Sequence, residues 1–216
     1  MTVRIKICCI ASIDEARLAI EAGASALGLV SAMPSGPGVI SWERIAEIAA
    51  AVPPPIATFL LTCSQDAEEI AAQQRRCGTS VIQLCDRLER GTYADLRRAL
   101  PGIRLVQVVH VAGDASVEEA RAAAAHVDAI LLDSGNPALA VKELGGTGRV
   151  HDWALSARIR ASIGVPLFLA GGLTADNVRA AVDAVRPFAL DVCSGVRTNG
   201  ALDAAKLRAF ARAVQS

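Results

Sequence analysis

The chain has 216 residues, 52% of them hydrophobic and 20% charged, and its 22 acidic side chains balance 22 basic ones. That length suits one well-packed domain spanning residues 1–216, and a neutral balance gives no electrostatic reason to expect nucleic acid or an anionic membrane surface. With 3% aromatic residues there is no stacking platform for single-stranded nucleic acid, and no apolar run reaches the roughly 18 residues that a membrane span needs.

The opening MTVRIKICCIAS has no long apolar stretch before a cleavage site, so no secretory leader is expected. Its first strand-like run, Val3–Cys8, is followed by an Ala-rich amphipathic stretch near 12–23. The same unit then recurs along the chain. Ala26–Val30 is followed by a helix near 41–51, Ile56–Leu61 by one near 65–76, and Ser80–Leu84 by one near 91–99. Arg104–His110 precedes 115–125, Ala129–Asp133 precedes 152–162, Pro166–Ala170 precedes 175–184, and Ala189–Val192 precedes 202–214. Strands that alternate with helical patterns of this length form βαβ units and a parallel sheet. The runs are apolar on both faces, as strands covered on both sides must be.

Eight such units in an α/β chain of this size predict a single (β/α)8 TIM barrel. The rival, a doubly wound open sheet, normally carries a dinucleotide fingerprint after the first strand, and Cys8-Cys9-Ile10-Ala11 is not one. Ser12, Ser41 and Thr174 are placed to cap helices, and Ser12 with Glu15 fits a capping box.

The chemistry-bearing residues fall at the carboxyl ends of these strands, which is where a barrel of this kind works. Asp133 ends the sixth run. A surface carboxylate is the bland reading; at the top of a barrel strand a general acid is favoured. Cys8 and Cys9 end the first run, either as small core side chains or as a thiol base or nucleophile. Alternation places Lys6 and Cys8 on one face and Cys9 on the other.

Gly171-Gly172 and Ser194-Gly195 follow the seventh and eighth runs, the usual phosphate site of this fold. Asp191 on the eighth could orient a substrate hydroxyl. Ser134 to His151 makes a long sixth loop with the look of a lid, and Gly145, Gly146 and Gly148 let its backbone come close to a ligand. The expected ligand is therefore a phosphorylated small molecule.

The six cysteines read as reduced thiols of a cytoplasmic protein. Cys8, Cys9, Cys63, Cys85 and Cys193 all fall near upper strand ends, so a zinc or redox site is a minor reading. There is no C-x-x-C pair, and His110, His126 and His151 lack ligand spacing, so no metal is expected.

The motifs converge on one family. Lys6-Ile7-Cys8, Gln83-Leu84, Leu131-Leu132-Asp133-Ser134, Gly145-Gly146-Thr147-Gly148 with His151-Asp152-Trp153, Ala170-Gly171-Gly172-Leu173-Thr174 with Asn177-Val178, and Asp191-Val192-Cys193-Ser194-Gly195-Val196 resemble phosphoribosylanthranilate isomerase. The resemblance runs through nearly the whole chain in the family's order and spacing. It implies an aminoaldose-to-aminoketose isomerase of tryptophan biosynthesis that works without cofactor or metal, as a monomer or homodimer. Asp133 would be the general acid that opens the furanose ring, and Cys8 the general base at sugar C2. Lys6, Gln83, Gly146, Gly171, Gly172, Asp191, Ser194 and Gly195 would bind substrate and its phosphate.

The chain departs from the family pattern at defined places. Cys9 stands for the family's glycine after the catalytic cysteine, and Ala11 for its threonine. Ser35-Gly36-Pro37-Gly38 lacks the arginine of a Ser-Pro-Arg segment that would pair with the anthranilate carboxylate. Cys85 replaces a histidine, and Arg197 a glutamate. Two other readings stay open: a paralogue isomerising another phosphoribosyl-amine, and a phosphoribosyl-ligand binding barrel with little turnover.

Overall fold

The protein, described as a computed structural model over residues 3–136, 138–146 and 148–215, is a closed parallel barrel in strand order β1 to β8. Thr147 of the glycine stretch lies outside the described residues. The strands are β1 Arg4–Ile7, β2 Ala26–Val30, β3 Ala57–Thr62, β4 Val81–Leu84, β5 Arg104–His110, β6 Ala129–Asp133, β7 Leu167–Leu169 and β8 Ala189–Val192. The helices are α1 Ile13–Glu21, α2 Trp42–Ala51, α3 Ala67–Cys77, α4 Tyr93–Ala99, α5 Ala115–Ala124, α6 Trp153–Ser162, α7 Val178–Val185 and α8 Ala204–Gln215.

Two apolar layers follow from the period-2 geometry of the strands. Ile5 and Ile7, Leu27 and Leu29, Ile130 and Leu132, and Leu190 and Val192 point outward, under the helices. Ala26, Phe59, Leu61, Val106, Leu131 and Ala189 point inward. This alternation is what aims the site. On β6 it puts Asp133 in line with Ala129 and Leu131. On β8 it puts Asp191 in line with Ala189, and on β1 it turns Lys6 away from the outer layer.

Pairing of β1 with β8 closes the barrel and sets Lys6 directly beside Asp191. The Lys6 ammonium, 0% exposed, lies 2.9 Å from an Asp191 oxygen. Burial works against that charge, but Asp191 and the neighbouring Cys8 raise the lysine pKa on balance. Below the pair the interior is aromatic. Lys6 Nζ sits 5.2 Å from the Phe59 ring centre, Phe59 meets Phe168 edge-on at 5.8 Å, and Arg4 covers Phe188 at 4.4 Å.

Several local expectations are revised. Ser12 caps α1 and Ser41 caps α2. Glu15 does not complete a box with Ser12; its oxygens are taken by the amides of Ala11 and Leu202 and by Arg197. The reciprocal box is formed instead by Thr92 and Asp95 at α4. Thr174 is not a side-chain cap. Asn177 reaches back to accept from the Thr174 amide and to donate to the Gly172 carbonyl, which fixes the seventh loop. A small hairpin, β9 Arg197–Thr198 with β10 Ala201–Leu202, follows a 3-10 turn at Ser194–Val196. Asn199 and Gly200, at φ 51° and 81°, make its turn, and this Asn-Gly pair is the hairpin signal that a reading of the sequence could have used.

Removing one partner of a buried ion pair strands the other charge, at a cost of about 3–5 kcal/mol. Urea unfolding of Lys6→Met should show a loss of that size. The double variant Lys6→Met/Asp191→Leu should recover much of it, because no unpaired charge is left inside the barrel.

Candidate active site

One cleft opens at the carboxyl ends of the strands, enclosing about 700 Å³ including space open to solvent. Cys8, Gln83, Asp133, Asp191, Gly146, Gly171, Gly172 and Ser194 all line it. The structure thus gathers residues separated by as much as 186 positions. Two expected residues sit just off the lining. Lys6 lies beneath the cleft, fully buried and paired with Asp191. Gly195 lies behind Ser194, where a side chain would come within 2.0 Å of the Leu173 carbonyl oxygen. Its lack of a side chain lets the seventh and eighth loops touch.

Cys8 continues β1 past its last paired residue, its amide donating to the Val192 carbonyl at 2.9 Å. Its side chain turns over Gly28 of β2. A methyl group there would stand 3.0 Å from Cys8 Sγ and 3.1 Å from Lys6 Nζ. Gly28 is a site residue that the sequence reading missed. Its only signal is a glycine inside the strand pattern Ala-Leu-Gly-Leu-Val, which marks a close approach.

Cys9 corrects the expectation from alternation. At φ 63° it leaves the extended conformation, so it joins Cys8 on the cleft lining instead of facing the helices. Left-handed backbone favours glycine.

Asp133 accepts a hydrogen bond from the Ser134 amide at 2.7 Å. Burial raises its pKa, against the pull of that amide, His110 and Lys6, and Asp191 adds to the rise. His110 is its register partner on β5. The sixth loop folds over the carboxyl so closely that a side chain on Gly145 would meet Asp133 Oδ2 at 2.7 Å. That loop is pinned to its neighbours. Lys142 pairs with Asp86 at 2.6 Å, and the Ser35 hydroxyl donates to the Lys142 carbonyl at 2.7 Å.

The far wall is made by the seventh and eighth loops. Gly171 and Gly172 have φ of 86° and 61°, and Ser194 begins the 3-10 turn. Among the described residues, the amides of Gly171, Gly172, Ser194 and Gly195 donate no backbone hydrogen bond. Clustered free amides in such turns form an anion-binding concavity. His151, half-buried beside Gly171 and hydrogen-bonded to the Ser156 hydroxyl at 2.8 Å, has its pKa lowered to about 4 by desolvation.

The opposite side of the cleft carries no cation: among its described lining residues there is no lysine or arginine. The two arginines best placed by sequence to compensate are engaged elsewhere. Arg149 pairs with Glu143. Arg197 grips both Glu15 oxygens, at 3.0 and 3.1 Å, and the carbonyls of Cys8 and Cys9.

The family model for N-(5'phosphoribosyl)anthranilate (PRA) isomerase matches residues 5–213. The chain is 38% identical over 221 residues to the N-(5'-phosphoribosyl)anthranilate isomerase of Geobacter sulfurreducens, covering 97% of each. It is 34% identical over 209 residues to N-(5'-phosphoribosyl)anthranilate isomerase 2 of Methanosarcina mazei, covering 96% of this chain and 92% of the relative. Among solved structures, phosphoribosyl anthranilate isomerase from Thermotoga maritima superposes with TM-score 0.82 at 30% identity, over 99% of this chain and 98% of that one. A phosphoribosyl anthranilate isomerase bound to reduced 1-(o-carboxyphenylamino)-1-deoxyribulose 5-phosphate gives TM-score 0.80 at 28% identity, with the same coverage.

A carboxyl whose folded pKa is raised favours the fold while protonated and loses that contribution as pH rises through the raised value. Asp133→Asn removes the charge and keeps an oxygen to accept from Ser134. Thermal melts should therefore show the variant more stable than wild type at pH 7, with the gap closing as pH falls through the folded pKa of Asp133.

Proposed function

Since the chain belongs to the phosphoribosylanthranilate isomerase family, we propose that it isomerises N-(5'-phosphoribosyl)anthranilate in tryptophan biosynthesis, with Asp133 as general acid and Cys8 as general base. The observation that carries this reading is the single cleft in which Cys8 and Asp133 face a wall of free loop amides.

The substrate phosphate docks on the amides of Gly171, Gly172, Ser194 and Gly195, with Gly146 of the sixth loop closing from above. Held there, the ribose extends toward Cys8 and Asp133. Asp133, whose raised pKa keeps it a proton donor closer to neutral pH, protonates the ring oxygen and opens the furanose to a Schiff base. The iminium acidifies C2, and the Cys8 sulfur removes that proton. The enolamine then relaxes to the aminoketose. Asp191, held by Lys6, is set to orient a sugar hydroxyl, and Gln83 lines the same floor.

Cys8→Ser and Asp133→Asn should each abolish most turnover, followed as loss of substrate fluorescence. A hydroxyl is too weak a base near neutral pH, and an amide cannot donate the proton. Cys9→Gly should stay active, because glycine suits the φ of 63° at that position. A dead Cys9→Ser beside an active Cys8→Ser would move the base by one residue.

The cation-free lining favours a second reading, a phosphoribosyl-amine whose aglycone lacks the carboxylate. A lost charge-assisted pair is worth about 1.5–3 kcal/mol, or roughly one to two powers of ten in binding. Wild type should therefore show a high KM for phosphoribosylanthranilate, and Pro37→Arg should raise kcat/KM for that substrate but not for an analogue without the carboxylate. The neighbouring Gly38 is a poor place for the arginine. Its φ is 81°, and a side chain there would strike Cys9 Cβ at 2.5 Å. Tight wild-type binding of phosphoribosylanthranilate would remove the second reading.

A further inference from the structure

We propose that Cys9 and Cys193 form a peroxide-reactive thiol pair on the lining of the cleft, and that their disulfide reversibly lowers turnover. The two sulfurs lie 2.9 Å apart, bridging the first and eighth loops. A disulfide bond is about 2.04 Å long, so closure draws them together by roughly 0.9 Å. Both residues line the cleft; Cys9 is 5% exposed, and Cys193 is the more accessible of the two.

The surroundings divide the roles. The hydrogen bond with Cys9 lowers the Cys193 pKa, against burial, and the Arg197 guanidinium adds to the lowering. Cys9 is pushed the other way by its bonds to Cys193 and Cys8 and by burial. Cys193, the more exposed of the two and beside the Arg197 guanidinium, is the attacking thiolate, and Cys9, almost fully enclosed, is the resolving thiol.

The step balances with one molecule of peroxide. The Cys193 thiolate attacks a peroxide oxygen, the O–O bond breaks, and a sulfenic acid forms as hydroxide leaves and takes up a proton. The Cys9 sulfur then attacks the Cys193 sulfur, the S–O bond breaks, and water departs. Two thiols and one peroxide become one disulfide and two waters.

Closure acts on the site through its two attachments. Cys9 is bonded to Cys8, and Cys193 directly precedes Ser194 and Gly195 of the proposed phosphate wall. A misplacement of about 1 Å in such a site can cost on the order of a hundredfold in rate. The link to turnover rests on the function proposed above, whereas formation of the disulfide does not.

Brief treatment with hydrogen peroxide, followed by alkylation and peptide mass mapping, tests both parts. The expected product is a Cys9–Cys193 crosslinked peptide with Cys8 still alkylated, absent from Cys9→Ser and Cys193→Ser. Activity on phosphoribosylanthranilate should fall at least tenfold and return with dithiothreitol. Wild type alone suffices for the map, so a poorly folding variant does not blunt it. Oxygen adducts on Cys8 without a crosslink, or a crosslink that includes Cys8, would overturn the pair. A Cys9–Cys193 crosslink that leaves turnover unchanged would overturn its coupling to activity. Absence of turnover in the untreated protein would instead count against the proposed substrate and leave the mass map to decide the thiol chemistry.

Discussion

The buried Lys6–Asp191 pair is the constraint around which the site is arranged. It sits at the seam where β1 and β8 close the barrel, with the lysine fully enclosed. A charge in that position is tolerated only with its partner in place, so the register of the closing strands and the ion pair require each other. The pair also divides the barrel interior. Below it lie Phe59 and Phe168; above it begins the polar floor of the cleft. Gly28 completes the arrangement by leaving room for Lys6 Nζ and Cys8 Sγ over β2.

A second clamp holds the loops above that floor. Arg197 and Glu15 join the start of α1 to the hairpin after β8, and Arg197 also holds the Cys8 and Cys9 carbonyls. An arginine where the family usually has a glutamate is therefore part of the scaffold. It is bound from both sides, with its side chain only 8% exposed, which takes it out of contention as a replacement for the missing aglycone arginine. In the function proposed above, the phosphate wall and the proton-transfer pair share one cleft whose described lining carries no lysine or arginine.

The sequence by itself determined the barrel. Runs apolar on both faces, alternating with amphipathic helices, have few other ways to bury themselves. The placement of β2, β5, β6 and β8 agrees with that reading. Placement on the apolar runs also made Asp133 and Asp191 legible as candidates, and Gln83 was legible from the family resemblance. What only the tertiary structure decided are the features that depend on neighbours distant in sequence. That Lys6 meets the Asp191 carboxylate was decided by the register of β1 on β8. The turn of Cys9 onto the lining came from one left-handed residue, and its approach to Cys193 spans 184 positions. The Glu15 amide keeps its bond to the Ser12 hydroxyl, but the Glu15 carboxylate goes to Arg197, a charged partner delivered by the far end of the chain. Local pattern fixes which way a side chain points. Which group it meets there is set by the closure of the barrel, because only closure brings the first and last strands together.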